Sequence, residues 1–218
     1  MLKEESVFDD LGTKVYNRIK HMIISGELKP GTKLVQEDLA KSLGVSRTPL
    51  LQAISRLTSD QLVESKTRRG AYVRHFSVDD KLQIFDIRSK LEPLSAREAA
   101  KLITEDQLQE LQNIIVEMEK TVENNNIPFF CELDYDFHTI IQIASGNKFI
   151  LEILSKYTPL IQSESRLKSL EASLLEHKEI LKSLSFNESD RVSILMYNHV
   201  DGGLRTRLES LLKGEEDE

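Results

Sequence analysis

The sequence predicts a mainly α-helical chain built from two domains, and three observations support this prediction. The length of 218 residues suits one or two domains of ordinary size. Apolar residues recur at helical steps along most of the chain, and strand-like alternation is confined to residues 62–73. Residues 1–76 hold 13 Lys and Arg against 9 Asp and Glu, whereas residues 77–218 hold 16 against 27. We therefore predict a basic domain over 1–76 and an acidic, all-helical domain over 77–218.

Composition excludes several classes of protein. With 39% hydrophobic residues, 9 Gly and 5 Pro, the chain is neither collagenous nor wholly disordered. The one cysteine, Cys131, rules out an intramolecular disulfide framework and a cysteine-rich zinc site, and it favours a reducing compartment. The sequence has no apolar run of about 18 residues and no signal-peptide core. We therefore expect a cytoplasmic protein that neither spans a membrane nor is secreted.

The basic domain shows a helix, a short helix, a third helix and then a hairpin. An apolar stripe predicts the first helix over residues 8–24, and Gly44 is placed to end the second. Ser46 is expected to cap the third helix, whose inward face carries Leu50, Ala53, Ile54 and Leu57. Residues 62–64 and 71–73 suit two short strands around a basic tip. This order of elements predicts a winged helix-turn-helix.

The acidic domain is predicted to be a bundle of about six helices. The first helix covers residues 78–102 and contains Pro93, which is expected to kink it. Thr104 and Gln107 form a capping box for the next helix, which runs to about residue 124. Asn187 is expected to cap the last helix. The remaining predicted helices cover residues 128–144, 148–160, 170–183 and 188–212.

Three runs in the basic domain carry a family resemblance. Residues 24–31 are ISGELKPG, residues 39–49 are LAKSLGVSRTP, and residues 69–73 are RGAYV. In this order they resemble the DNA-binding domain of the GntR family of bacterial transcription regulators. The resemblance implies double-stranded operator DNA as the partner. It also implies that Arg47 and Thr48 contact DNA from the recognition helix, with Arg68, Arg69 and Gly70 placing the wing beside the minor groove.

Two positions of the recognition helix depart from the family pattern. Leu51 stands where the family usually has a DNA-contacting Arg, and Gln52 stands where it commonly has Glu. Losing an Arg removes a phosphate or guanine contact, worth about 1–3 kcal/mol if it contacted a base. Helical periodicity leaves Leu51 exposed, so we predict an apolar contact with a thymine methyl group and a changed operator preference.

Four residues of the acidic domain are candidate metal ligands. Asp134 and His138 are four residues apart, so they share one helix face, and His177 and His199 come from two later helices. A single histidine is more often a structural residue than a ligand. However, residues 134–138, 144–147, 176–181 and 196–199 resemble the FCD effector domain of FadR-type GntR regulators. That resemblance implies that all four residues bind a divalent metal, with zinc first and nickel as the alternative.

A metal with an open coordination position suggests a small carboxylate as effector. By resemblance, Arg88 lines the effector cavity and is suited to pair with an acid, although an ion pair with Glu92 at i,i+4 is the simpler interpretation. Arg166 is a second, weaker candidate for the same role. Asn147 either orients the effector or caps the helix that follows it, and the cap is favoured.

These features predict a metabolite-responsive transcription regulator. We expect a homodimer that binds a palindromic operator, and family analogy favours a repressor. One alternative is a metal sensor in which the cation itself is the effector. A second is a metal-dependent hydrolase, for which Glu176 and Asp136 are the obvious bases; a third is an FCD protein with a degenerate metal site and a larger apolar ligand.

Overall fold

The computed structural model describes residues 4–157 and 169–201, with side chains from residue 11 onward. The chain divides into two compact units, and the boundary falls between His75 and Phe76. The first unit is a winged helix-turn-helix and the second is all helical, so the predicted fold class is confirmed. No described helix is both long and apolar enough to cross a membrane.

The first unit contains three helices and a small sheet. Its elements in chain order are α1 (Glu4–Ile24), β1 (Lys33–Leu34), α2 (Gln36–Leu43), α3 (Arg47–Ser59), β2 (Val63–Lys66) and β3 (Gly70–Val73). Helix α1 buries Val15, Ile19 and Ile23 at the predicted helical spacing. The four predicted inward residues of α3 are all buried as well. The packed faces of α1 and α3 form the core of this unit, so α1 holds the recognition helix α3 in place.

Two details of the first unit differ from the prediction. Strand β1 was not predicted, because two residues are too few for alternation to show; it pairs antiparallel with β3, giving the order β1-β3-β2. Ser46 occupies the N-cap position of α3, but its side chain makes no capping hydrogen bond. Gly44 does end α2 as predicted, with a left-handed φ of 66° that favours glycine.

Six helices make up the described part of the second unit. They are α4 (Val78–Leu102), α5 (Glu105–Glu123), α6 (Ile127–Ala144), α7 (Lys148–Tyr157), α8 (Leu170–Ser185) and α9 (Ser189–Asp201). Large side chains from five of these helices are packed into one core that includes Phe85, Leu111, Phe137, Ile180 and Met196. This core fixes the mutual positions of α4, α6, α8 and α9, the helices that carry the candidate site.

Helix ends in the second unit follow the sequence in part. The Thr104–Gln107 capping box is present, and a second box formed by Ser77 and Asp80 begins α4. Helix α4 continues across the buried Pro93, and the bend expected there stays a prediction. Asn187 does not cap α9: the helix begins at Ser189, and Asn187 has a left-handed φ of 57°, whereas N-cap residues are extended. The predicted helical residues 158–160 and 202–212 lie outside the described part.

Candidate metal centre and DNA-contacting surface

The four predicted ligands come together in the second unit. Asp134 and His138 lie one turn apart on α6, His177 lies on α8 and His199 on α9. One ligand atom from each residue lies within 4.8 Å of every other. His138 and His177 are fully buried, and Asp134 and His199 are partly covered. The packing of three helices therefore brings together side chains that are 65 positions apart at the extremes.

Distances around Asp134 Oδ1 suit a shared cation. This oxygen lies 2.9 Å from His177 Nε2, 3.8 Å from His138 Nε2 and 4.0 Å from His199 Nε2. The Nε2 atoms of His138 and His199 are 3.1 Å apart. Two ligands bonded to one zinc ion at about 2.1 Å each stand about 3–4 Å from one another. These four separations, 2.9–4.0 Å, are close to that range.

The other ring nitrogen of each histidine faces an oxygen. Nδ1 of His177 lies 2.7 Å from the Ser173 carbonyl, and Nδ1 of His199 lies 2.7 Å from Glu176 Oε2. Nδ1 of His138 lies 2.5 Å from Glu92 Oε2. A carbonyl or a carboxylate only accepts, so each Nδ1 is placed to carry a proton, and a ring that is neutral then presents its lone pair at Nε2. Histidines that bind metals through Nε2 are held by partners of this kind.

This arrangement leaves acceptors facing acceptors. The lone pair of His177 Nε2 points at the Asp134 carboxylate, and this buried nitrogen has no hydrogen-bond partner among the described residues. Buried polar atoms without a partner are costly, so either extra protons or a cation must lie between them. Three imidazole nitrogens and one carboxylate oxygen are donors that zinc and its neighbours in the first transition row bind well. The residues therefore fit a divalent metal.

Burial and neighbouring charges determine which groups of the cluster are ionised. Burial raises the pKa of Asp134, but its contact with His177 and the attraction of the other two histidines outweigh burial and hold that pKa well below its usual range. Burial opposes the charged form of His138, yet Glu92 and Asp134 raise its pKa above the ordinary value. Burial and the nearby His177 lower the pKa of His199 to about 4. At neutral pH the cluster thus keeps its carboxylate and a neutral His199.

Arg88 lies in the ion pair that the simpler interpretation predicted. Its Nε donates to Glu92 Oε1 at 2.5 Å, and both side chains are buried. Burial disfavours the Glu92 charge, but Arg88 and His138 prevail and lower the pKa of Glu92 to about 2. Within the described part of the chain, the two terminal nitrogens of Arg88 make no hydrogen bond. The guanidinium thus keeps donor capacity beyond the ion pair.

The sequence prediction missed two acidic residues of this site. Glu92 was considered only as the partner of Arg88, and Glu176 only as a candidate base, whereas each contacts Nδ1 of a histidine. An acidic residue on the apolar face of α4 was the available signal for Glu92. Asn147 Oδ1 accepts from the amides of Phe149 and Ile150, so it caps α7. Arg166 lies outside the described residues.

The predicted DNA contacts of the first unit are mostly exposed. Arg47 and Thr48 stand exposed in the first turn of α3, and Leu51, 39% exposed, follows one turn later. Arg47 makes a long contact, 3.4 Å, with Gln36 Oε1 on α2. At the hairpin tip, Arg68 has a left-handed φ of 61°, and Arg69 and Gly70 are exposed beside it. Both segments leave cationic side chains accessible to a nucleic acid.

Gln52 is exposed like the other predicted contacts, and its side chain also reaches α1. Its Oε1 lies 3.0 Å from the point where a side chain at Gly12 would begin, so its amide lies against α1. One turn later, Arg56 donates to Thr13 Oγ1 and stacks 4.3 Å above the ring of Tyr16. These contacts attach the exposed edge of α3 to α1. A side chain at position 12 would make the exposed Gln52 side chain shift by a few tenths of an ångström.

Comparison with known proteins matches both units to families. The family described as "Bacterial regulatory proteins, gntR family" matches residues 11–73, and the family described as "FCD domain" matches residues 83–202. The HTH-type transcriptional regulator YdhC of Bacillus subtilis is 31% identical over 67% of this chain and 66% of its own length. The HTH-type transcriptional repressor RspR of Escherichia coli is 24% identical over 86% of this chain and 84% of its own length.

The fold has a solved relative. A structure of E. coli McbR/YncC superposes with a TM-score of 0.81, covering 93% of this chain and 98% of that one. Sequence identity between the two is 20%, so this likeness concerns the fold alone.

Proposed function

Since the chain belongs to the gntR family of bacterial regulatory proteins and carries an FCD domain, we propose that it is a repressor controlled by a small carboxylate bound at a metal. The family binds DNA and regulates transcription, which defines the general activity. The effector, the metal and the direction of regulation are the proposed parts. Repressors among the relatives, such as RspR, favour that direction.

The metal half of the proposal depends on one observation. One ligand atom from each of the four residues lies within 4.8 Å of every other, while each Nδ1 lies beside an oxygen. Asp134, His138, His177 and His199 would hold a divalent cation, zinc first and nickel as the alternative. When bound, the cation would supply a Lewis-acidic position that attracts a carboxylate.

The carboxylate half depends on Arg88. Its terminal nitrogens form a planar fork suited to a carboxylate, and its burial strengthens such a pair. We assign Arg88 as the main effector contact, with Arg166 as a second cation and Asn147 as a weaker candidate because its side chain caps α7. The carboxylate of a small acid would be attracted both to the metal and to the Arg88 guanidinium.

The DNA half lies in residues 1–76, and effector binding in residues 77–218. Arg47, Thr48 and Leu51 would face the major groove from α3, with Gln52 at its edge and the Arg68, Arg69 and Gly70 tip beside the minor groove. We propose a homodimer, because two recognition helices suit a palindromic operator. The regulator would act in the cytoplasm, where bacterial DNA lies.

The effector must bind two states of the regulator unequally, because equal affinity shifts no equilibrium. Helix α4 carries both Arg88 and Glu92, and four residues separate its start from the last strand of the wing. A change in how α4 is packed on α6 would therefore act on the element that directly follows the DNA-binding unit in the chain.

The test is an operator-binding titration. A labelled operator, selected from fragments upstream of the chain's own gene, is bound by zinc-loaded protein while simple carboxylates such as acetate, lactate and citrate are added one at a time. We expect one acid to weaken operator binding at least tenfold in the wild type and not in Arg88→Met. An acid that binds tightly without changing operator affinity refutes the proposal. Chelation alone that changes operator affinity, with no response to any acid, supports the metal-sensor alternative instead.

A further inference from the structure

Glu92 is the most deeply buried acid among the described residues, and each of its oxygens lies beside a nitrogen, Oε1 in a hydrogen bond and Oε2 in a close contact without hydrogen-bond geometry. It is 1% exposed, with Oε1 at 2.5 Å from Arg88 Nε and Oε2 at 2.5 Å from His138 Nδ1. The Glu92 carboxylate thus contacts Arg88, the proposed effector-binding residue on the same helix, and His138, a proposed metal ligand on α6. No other described acid touches both halves of the site.

The two contacts need the same chemistry from Glu92. Arg88 has only donors, and His138 must present a proton at Nδ1 if Nε2 is to bind a cation. Two acceptor oxygens are therefore required at position 92. A glutamine offers one acceptor oxygen and one amide that donates, so it can serve one partner and opposes the other. Aspartate keeps both oxygens but is shorter by one methylene group.

We propose that Glu92 is a positioning residue that sets both halves of the effector site at once, holding His138 for the metal and Arg88 for the carboxylate. The inference rests on the proposed function and deepens it. Arg88 uses Nε for Glu92, which fixes the plane of the guanidinium while its terminal nitrogens remain for a ligand. The same carboxylate fixes the tautomer and the orientation of the His138 ring.

Glu176 provides an internal comparison. It holds Nδ1 of His199 at 2.7 Å, as Glu92 faces His138, but it is near the surface, and the ion pair of Arg88 is with Glu92. Its side chain is 36% exposed. Removing the charge of Glu176 should therefore weaken the metal half alone, whereas removing the charge of Glu92 should weaken both halves.

The first measurement uses zinc alone. Full-length wild type, Glu92→Gln, Glu176→Gln and Glu98→Gln are titrated with zinc against a competing chelator. Partners that orient metal-binding histidines typically contribute about 10–100-fold to affinity, so we expect a loss of about that size for Glu92→Gln and a smaller one for Glu176→Gln. Glu98 pairs with Lys101 at the surface of the same helix, so its variant controls for loss of an acid on α4. We expect it to bind zinc like the wild type.

The second measurement isolates the Arg88 half. Binding of acetate and citrate is measured by calorimetry at saturating zinc. Since the metal site is then filled in every variant, differences in zinc affinity do not influence the result. We expect Glu92→Gln to weaken carboxylate binding at least tenfold and Glu176→Gln to leave it unchanged. Cobalt-loaded protein adds a spectroscopic readout: the visible absorption bands should shift in Glu92→Gln, since the donor strength of His138 changes, and not in Glu98→Gln.

The outcomes separate this inference from the proposed function. Zinc affinity within threefold of wild type, or weaker zinc binding with unchanged cobalt bands and carboxylate binding, overturns the role of Glu92. A wild type that binds neither zinc nor any carboxylate refutes the proposed function. The role of Glu92 is then decided by proton NMR, where loss of the low-field His138 Nδ1–H resonance in Glu92→Gln supports it and persistence overturns it. Glu92→Asp replaces Glu92→Gln throughout if the amide variant does not fold.

Discussion

Removal of the metal is expected to destabilise the unit that begins at Phe76 and to leave the first unit unaffected. His177 Nε2 faces the Asp134 carboxylate at 2.9 Å, so removal of a cation would leave buried acceptors opposed unless protons are taken up. A cation that binds the folded cluster but not the unfolded chain stabilises the folded state by mass action. All four ligands lie in the second unit, so the effect belongs to that unit's unfolding transition.

The size of the effect follows from the extent of the unit. For residues 76–218, an unfolding entropy of about 2 cal/mol/K per residue gives about 0.3 kcal/mol/K, so 1 kcal/mol changes the midpoint by about 3 °C. Free zinc at about 1,000 times its Kd stabilises by about 4 kcal/mol. We therefore expect chelation to lower the midpoint of the second unit by about 13 °C.

Differential scanning calorimetry with and without a chelator checks this prediction. His177→Ala should show a zinc-dependent shift below about 3 °C, whereas His75→Ala, an exposed histidine outside the cluster, should keep the full shift. Equal zinc shifts in the two variants would refute the reasoning, as would a shift confined to the first unit. The comparison is made between zinc-loaded and zinc-free samples of each variant, so any cavity left by the alanine cancels.

Three further predictions concern recognition, pH and the start of α4. Leu51→Arg should change operator preference in a sequence-selection experiment, because a guanine-binding side chain replaces an apolar one at an exposed position of α3. An unchanged preference would contradict the predicted contact between Leu51 and a thymine methyl group. Zinc affinity should fall as pH decreases from 8 to 5, because the raised pKa of His138 makes a proton compete with the metal. Protonation of His199, whose pKa is about 4, contributes only when the pH approaches that value. Competition titrations at several pH values test this, and an affinity that does not change with pH would disprove it. Ser77→Ala should destabilise the second unit by about 1 kcal/mol in urea unfolding, because it removes the side-chain acceptor of the capping box, and a change under about 0.3 kcal/mol would exclude that contribution.

The elements of the fold were predictable because local patterns encode them. Helical spacing identified the buried face of α3, and the Thr104 and Gln107 spacing identified the start of α5. Strand β1 escaped detection because its partner β3 lies far along the chain, and pairing rather than alternation defines it. Asn187 suits a cap by residue type, but the tight turn before α9 places it in a left-handed conformation instead. The misses are positions where a distant strand partner or a tight turn, rather than residue type, determines the backbone.

The candidate site was predictable in the same uneven way. The i,i+4 spacing of Asp134 and His138 placed two ligands on one helix face, whereas the participation of His177 and His199 was implied only by family resemblance. The partners of the Nδ1 atoms could not be predicted, since the contact between Glu92 and His138 depends on how α4 is packed against α6. Local spacing assigned Glu92 to Arg88, which describes one of its two oxygens.

The ring of His177 is held by a backbone oxygen rather than by a side chain. Such an anchor is supplied by the peptide unit of position 173 whatever residue occurs there, so substitution of Ser173 leaves it in place. A mutational survey of the domain would therefore detect two of the three groups that contact a histidine Nδ1, Glu92 and Glu176, and overlook the backbone carbonyl of Ser173. Of the three rings, His177 is the one whose orientation can persist while the surrounding sequence diverges.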